Sequence, residues 1–191
     1  MRARSINAGA PAPLRQLLDG IDVLGRLDGY IAAGCLFALT SLMLTEVVVR
    51  ALSNTFPWVP ASIPGAWEYS SYLMAASFTF GAAMTLRAGG HIRVSLLLAR
   101  LKPHRRRAAE MALALVAAAF TTFLACAMAR FTWTSFTGGQ TSLGSATALW
   151  IPQAAVTFGF ILLVLQFCAR FVQAILGLTL VDESLKAALT E

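Results

Sequence analysis

The chain has 191 residues, of which 58% are hydrophobic and 13% are charged, and its mean hydropathy of +0.70 excludes an ordinary water-soluble globular protein. The formal net charge is +6, but the basic residues lie at the borders of long apolar runs. This distribution argues against nucleic-acid binding and indicates membrane topology instead.

The first predicted element is a short amphipathic helix at about 14–26 that lies on the membrane surface. Leu14, Leu17, Leu18, Ile21 and Leu24 recur at helical spacing, while the charged residues of this segment take other faces. No apolar run precedes residue 29 and no small-residue cleavage site is visible, so we expect no cleavable signal peptide.

Four apolar runs follow, and each is long enough to cross a hydrocarbon core of about 30 Å. They cover residues 29–49, 66–86, 108–129 and 149–169. Each run is followed by an arginine whose long side chain would reach the interface: Arg50, Arg87, Arg130 and Arg170. The sequence therefore predicts an all-α polytopic membrane protein with four transmembrane helices, forming a single membrane domain over 1–191.

The lysine and arginine counts of the segments between these runs predict the orientation. The N-terminal arm has four, the middle loop seven and the C-terminal tail two, whereas the first and third loops have one each. Because cytoplasmic loops hold the excess of these residues, we predict that both termini and the middle loop are cytoplasmic. In the middle loop we predict a second interfacial helix at about 93–102, followed by a basic run, 104–107, that contacts anionic membrane lipid.

Ionisable residues inside the predicted spans are the candidates for function, and there are few. Glu46 and Arg50 are four residues apart on one helix, which places them on one face, and Glu68 would reach a similar depth on the second span. Three interpretations stay open: a clamp between two helices, a contact with a partner subunit, or a substrate or ion site. The last corresponds to an alternative function, an autonomous four-helix transporter that is coupled to protons through Glu46.

The sequence offers little for catalysis or cofactor binding. His91 and His104 both lie in the middle loop, so no membrane-embedded haem with histidine ligands from the spans is expected. Cys35, Cys126 and Cys168 lie in apolar runs without metal-ligand spacing. We therefore expect no enzyme activity and no cofactor.

Three stretches of the sequence have a distinctive pattern. The first is Glu46-Val-Val-Val-Arg50, and the third is Leu149-Trp150-Ile151-Pro152 at the opening of the last run. The second and most specific joins Trp67-Glu68-Tyr69, Phe80-Gly81-Ala82-Ala83 and Leu86-Arg87-Ala88-Gly89-Gly90-His91-Ile92-Arg93-Val94. Together these stretches resemble the small membrane subunit of tripartite ATP-independent periplasmic (TRAP) transporters, and the similarity extends over about 27–172. The second run opens with one acid where the family often has two, and no aromatic residue follows Pro152 directly.

The resemblance implies a role in secondary active uptake across a bacterial inner membrane. A large multi-span subunit would carry the substrate and sodium sites, and a periplasmic solute-binding protein would deliver an organic acid. This chain would be the scaffold that supports the large subunit and helps to dock the binding protein, without binding substrate itself. The residues that carry the resemblance are then candidates for structural or subunit contacts: Glu46, Arg50, Trp67, Glu68, Gly81, Arg87, His91 and Pro152.

Overall fold

The computed structural model describes residue 7 and residues 9–87 and 103–178. Four α-helices account for most of this part: α1 (Ala12–Ser53), α2 (Ala66–Arg87), α3 (Pro103–Thr137) and α4 (Trp150–Leu176). Within the described ranges there is no β-strand, only an isolated bridge between Thr141 and Ala148. The prediction of an all-α protein is thus confirmed for the described residues, and the predicted interfacial helix at 93–102 lies outside them.

Three of the helices are long and apolar enough to cross a membrane: α1, α3 from Arg105 onwards, and α4. The remaining helix, α2, has 22 residues and therefore measures about 33 Å, which suffices by length. Its sequence is more polar because it contains five serines and threonines, and each hydroxyl donates to a carbonyl one turn earlier on the same helix. That α2 is a fourth transmembrane helix stays a prediction.

The structure corrects one expected boundary, because the segments 14–26 and 29–49 form one continuous helix of 42 residues. Gly29, which lies at the expected break, serves helix packing instead. A Cβ atom at this glycine would be 2.3 Å from Sδ of Met84, so α1 and α2 approach closely here. At about 63 Å, α1 is roughly twice as long as a hydrocarbon core is thick, so within a membrane it must tilt or extend beyond the core.

A single seam of α1 faces the other helices. Four residues of α1 are buried, namely Leu18, Gly25, Asp28 and Glu46. They belong to a set of buried and half-buried positions that alternate in steps of three and four residues: 18, 21, 25, 28, 32, 35, 39, 42, 46, 49 and 53. This spacing is typical of helices that pack nearly parallel, at about 20° to each other. Most of the remaining surface of α1 is exposed.

The helices pack as two pairs, α1 with α2 and α3 with α4, and α4 also contacts α2 and α1. Ala76, Phe80 and Leu162 form the buried core between α2 and α4, and Ala32 and Cys35 of α1 pack against it. Gly159 permits a close crossing, since a Cβ atom there would be 2.8 Å from Oγ1 of Thr79. The small residue thus allows α4 to approach α2 closely.

One end of the bundle, which we call the arginine end, is closed by arginine side chains. Arg107, at the start of α3, donates from Nε to the carbonyl of Ala174 at 3.0 Å and also donates to the carbonyl of Ile175. Arg170 of α4 donates to the carbonyl of Leu86 at 2.6 Å. The last carbonyls of a helix have no intrahelical partner and carry partial negative charge, so these cations cap α4 and α2.

The N-terminal segment is bound at the same end. The buried side chain of Asn7 donates to Asp19 at 2.8 Å and to Asp22 at 2.9 Å, and its oxygen accepts from Gln173 of α4 at 2.8 Å. The start of α1, the end of α2, the start of α3 and the end of α4 therefore lie together. The opposite end, which we call the loop end, consists of the α1–α2 loop (54–65) and the α3–α4 loop (138–149).

Candidate functional site at the loop end

Glu46 fixes the α1–α2 loop. Its side chain is buried at 3% exposure, although it lies only two turns before the end of α1. Oε1 accepts from Nη2 of Arg50 at 3.1 Å, and Oε2 accepts from the backbone N–H of Ile63 at 2.8 Å. Because the guanidinium of Arg50 is half exposed, the pair links the seam of α1 to the surface. Both oxygens of Glu46 are thus used to hold its own chain.

Glu68 fixes the α3–α4 loop in the same manner. Its Oε2 accepts from the hydroxyls of Ser142 and Ser145, the latter at 2.8 Å, and its Oε1 accepts from the N–H of Gly144 at 3.1 Å. The sequence left open whether Glu46, Arg50 and Glu68 form one charged cluster. Among the described residues they form two separate sites, since Arg50 pairs with Glu46 while Glu68 binds neutral donors.

The backbone of the α3–α4 loop is shaped to receive this carboxylate. Gly144 has no space for a side chain, because a Cβ atom would be 2.6 Å from Oε1 of Glu68. Ala146 has a positive φ of 54°, which is rare for a residue with a side chain. Backbone bonds from Ser142 to Thr147 (2.8 Å) and from Leu149 to Gln140 (3.0 Å) close the loop. The loop therefore has a defined conformation in which it binds the side chain of Glu68.

Large apolar side chains are exposed at the loop end. Leu143 has a relative exposure of 106%, Trp58 79% and Trp67 64%. No charged residue occurs in 51–67 or in 131–149. The loop end is therefore a neutral surface with exposed aromatic and aliphatic groups on fixed loops.

Comparison with known families matches residues 39–177 to the family described as tripartite ATP-independent periplasmic transporters, DctQ component. The chain belongs to this family. The match begins within α1 and ends at Gly177, directly after α4, so it includes the loop end and three complete helices. No curated protein and no solved structure matches the chain. The family is a transporter component family and not an enzyme family, and the chain is the small membrane subunit of a TRAP transporter.

The other residues singled out from the sequence of this DctQ component lie at different places. Trp67 is exposed, and its carbonyl accepts from the hydroxyls of Ser70 and Ser71. At Gly81, a Cβ atom would be 3.6 Å from that of Ala32, so this glycine lies where α2 meets α1. Pro152 is half-buried in the first turn of α4, where its missing N–H costs little. Arg87 is the last residue of α2, its side chain is not among those described, and His91 lies outside the described residues.

Sequence reasoning missed the residues that hold the two acids of the DctQ component. The Ser142-Leu-Gly-Ser145 stretch offers hydroxyls and a free amide, a combination that suits an anion, but its partner is more than 70 residues away in sequence. Sequence reasoning likewise gave no role to Asp28, which is 2% exposed and has no hydrogen-bond partner for Oδ2. In the described part of the chain, no group of three or more potential ligands could hold a metal ion.

Proposed function

We propose that this DctQ component is the scaffold that supports the large transport subunit in the bilayer and helps to dock a periplasmic binding protein for sodium-coupled uptake of an organic acid. The observation that carries the proposal is the family match, which extends across both loops of the loop end and their helices. A four-span arrangement with both termini in the cytoplasm of a bacterial cell, in its inner membrane, is part of the proposal.

The way in which the acids are bound supports a scaffold over a carrier. A transported ion must bind and leave, so a carrier needs a carboxylate that is accessible within the membrane. Both oxygens of Glu46 and both oxygens of Glu68 are occupied by donors of the chain itself. This arrangement argues against the alternative of an autonomous proton-coupled transporter based on Glu46, and it is consistent with transport by a partner subunit.

The arginine end supports the proposed orientation. Arg105, Arg106 and Arg107 at the start of α3 lie at the same end as Arg170, and Asn7 is bound there too. The start of α1 and the end of α4 therefore share one side with the basic residues, as expected for the cytoplasmic side. The packing of α2 against both α1 and α4 supports its assignment as a fourth span.

A groove between α1 and α2 is available for the large subunit. It has a volume of about 710 Å³ and is lined mainly by small and apolar residues, including Ala32, Ser77, Phe78 and Gly81. Small residues let a helix backbone from a partner approach closely, which is the usual basis of helix association in lipid. The groove therefore offers a contact for a transmembrane helix of the large subunit.

Co-purification tests the proposal. The tagged chain would be expressed with the reading frames that adjoin its gene, extracted in mild detergent and analysed for a large membrane protein at a fixed ratio. Ser77→Leu, which fills the groove, should reduce the recovery of the large subunit, whereas Gly34→Leu, on an open face of α1, should not. Recovery of the unmodified chain without any larger membrane protein would contradict the proposed function.

A further inference from the structure

Leu143 is held in full exposure by the residues on both sides of it. Ser142 and Gly144 each donate to the carboxylate of Glu68, and the side chain between them has a relative exposure of 106%. A flexible loop would let such a leucine fold against nearby apolar surface. Here both flanking residues are bound to Glu68 on the side of the bundle, so the leucine stays directed away from the protein.

The α3–α4 loop lies across the end of the bundle. A Cβ atom at Gly65, just before α2, would be 2.9 Å from Cβ of Ser145, and the hydroxyl of Tyr69 bonds that of Thr147 at 2.7 Å. The loop thus connects α3 to α4 while resting on the start of α2. This position places Leu143 at the loop end of the bundle, beside the start of α2.

The surroundings of Leu143 define the chemistry of its partner. The loop segments 51–67 and 131–149 carry no charge, so complementarity must come from apolar contact and neutral hydrogen bonds. An apolar side chain on a fixed backbone loses less conformational entropy on binding than one on a flexible loop, which favours its use as an anchor. Side chains that fill a pocket at the centre of an interface contribute a large share of the affinity.

We propose that Leu143 is an apolar anchor that inserts into an uncharged depression on the soluble binding protein, and that Glu68 is the residue that positions it. This inference rests on the proposed function and adds to it the contact residue and the kind of surface that the partner presents. The interaction is independent of ion pairs, so it differs from electrostatic steering in its response to salt.

Affinity measurements on the complete complex test the anchor. The chain and its large subunit would be placed together in lipid nanodiscs, and the Kd of the purified binding protein encoded with them would be measured. Leu143→Ser should weaken binding about tenfold or more, as for a central anchor. Leu52→Ser, the same change at an exposed leucine in the last turn of α1, should leave the Kd nearly unchanged. The ratio of the Leu143→Ser and parent values should be equal at low and high salt.

A double-mutant cycle tests the role of Glu68. Glu68→Gln should weaken binding less than Leu143→Ser does, and combining the two should give almost no further loss, because the glutamate acts through the leucine. Additive effects of the two substitutions would overturn the positioning role. If the serine variant assembles poorly, Leu143→Gln, which is closer in size, gives the same measurement.

Two outcomes would overturn the anchor. In the first, Leu143→Ser leaves the Kd unchanged in a complex that assembles normally, which leaves the proposed scaffold function standing. In the second, a fluorophore on Leu143→Cys is quenched by labelled lipid and not by a water-soluble quencher, which means that the leucine is inserted into the membrane. Failure of the chain to associate with any large subunit contradicts the proposed function itself, so the two failures are distinguishable.

Discussion

At the scale of single residues, the two carboxylates of the loop end have the same function at different places. Each extends from the end of a helix and binds a loop that follows later in the chain, Glu46 through Ile63 and Glu68 through Ser142, Gly144 and Ser145. Acids in apolar helices are costly unless their oxygens are satisfied, and here the donors come from the loops. These hydrogen bonds offset the cost of placing the acids there, and they also fix the conformations of the loops.

Substitution of Glu46 should destabilise the loop end. Glu46→Ala removes the acceptor for Arg50 and for the N–H of Ile63, so we expect the melting temperature in detergent to fall by several degrees. Glu46→Gln keeps one acceptor oxygen and should lower it less. The measurement is a thermal unfolding series with Thr45→Ala as the control, since Thr45 is exposed and bonds only within its own helix. Equal stability of the alanine variant and the parent would contradict the clamp.

Substitution of Asp28, in contrast to that of Glu46, should not lower the melting temperature. Its carboxyl is buried on the seam of α1 with an unpaired oxygen, and a buried charge without a partner destabilises a fold. Asp28→Asn keeps the shape of the side chain and cannot ionise. We expect its melting temperature at neutral pH to equal or exceed that of the parent. A marked decrease would show that the carboxylate has a stabilising partner in the assembled protein.

At the scale of elements, the close helix crossings depend on the absence of side chains. At Gly159 the nearest atoms belong to Thr79, whose short branched side chain cannot move far. Gly159→Ala should therefore separate α2 from α4 and lower the melting temperature. Gly34→Ala, on a face of α1 with open space, should be neutral or stabilising because alanine favours a helix by up to about 1 kcal/mol over glycine. If the two variants behave alike, the close crossing has no energetic importance.

The sequence predicts the presence of the helices better than it predicts their first and last residues or their tertiary contacts. The expected run 66–86 lies within α2 (Ala66–Arg87), because a proline and a glycine precede it. The expected run 108–129 is shorter than α3 (Pro103–Thr137), because hydropathy marks the apolar part of a helix, whereas the helix itself continues through Arg105 and Trp133. The partners of Glu68 and the role of Arg107 in capping α4 depend on contacts between distant segments, which spacing along one helix does not reveal.

At the scale of the whole molecule, the two ends of the bundle differ in chemistry. The arginine end contains Arg105, Arg106, Arg107 and Arg170, and two of these guanidinium groups are used to cap helices. The loop end is uncharged beyond Glu46, Arg50 and Glu68 and exposes large apolar groups. This asymmetry fits the proposed orientation, in which the arginine end faces lipid headgroups and cytoplasm and the loop end faces a soluble partner.

Cysteine labelling tests this asymmetry in cells. Single cysteines at Leu143 and at Arg105 in a background without Cys35, Cys126 and Cys168 would be treated with a membrane-impermeant maleimide. We expect Leu143→Cys to react in intact spheroplasts and Arg105→Cys only after the membrane is opened. The opposite pattern would reverse the proposed orientation, and reaction of both from outside would contradict the single span, α3, that separates the two sites as well as the positive-inside assignment.

The length of α1 couples this protein to the thickness of its bilayer. At about 63 Å, the helix is too long to fit upright within a core of about 30 Å, so its fit to the bilayer depends on how far it tilts or extends beyond the core. Its regular seam against α2 and α4 resists a change of tilt, so part of the strain from a thinner or thicker bilayer passes into the interhelical contacts. Lipids of different acyl-chain length should therefore alter the stability of the bundle.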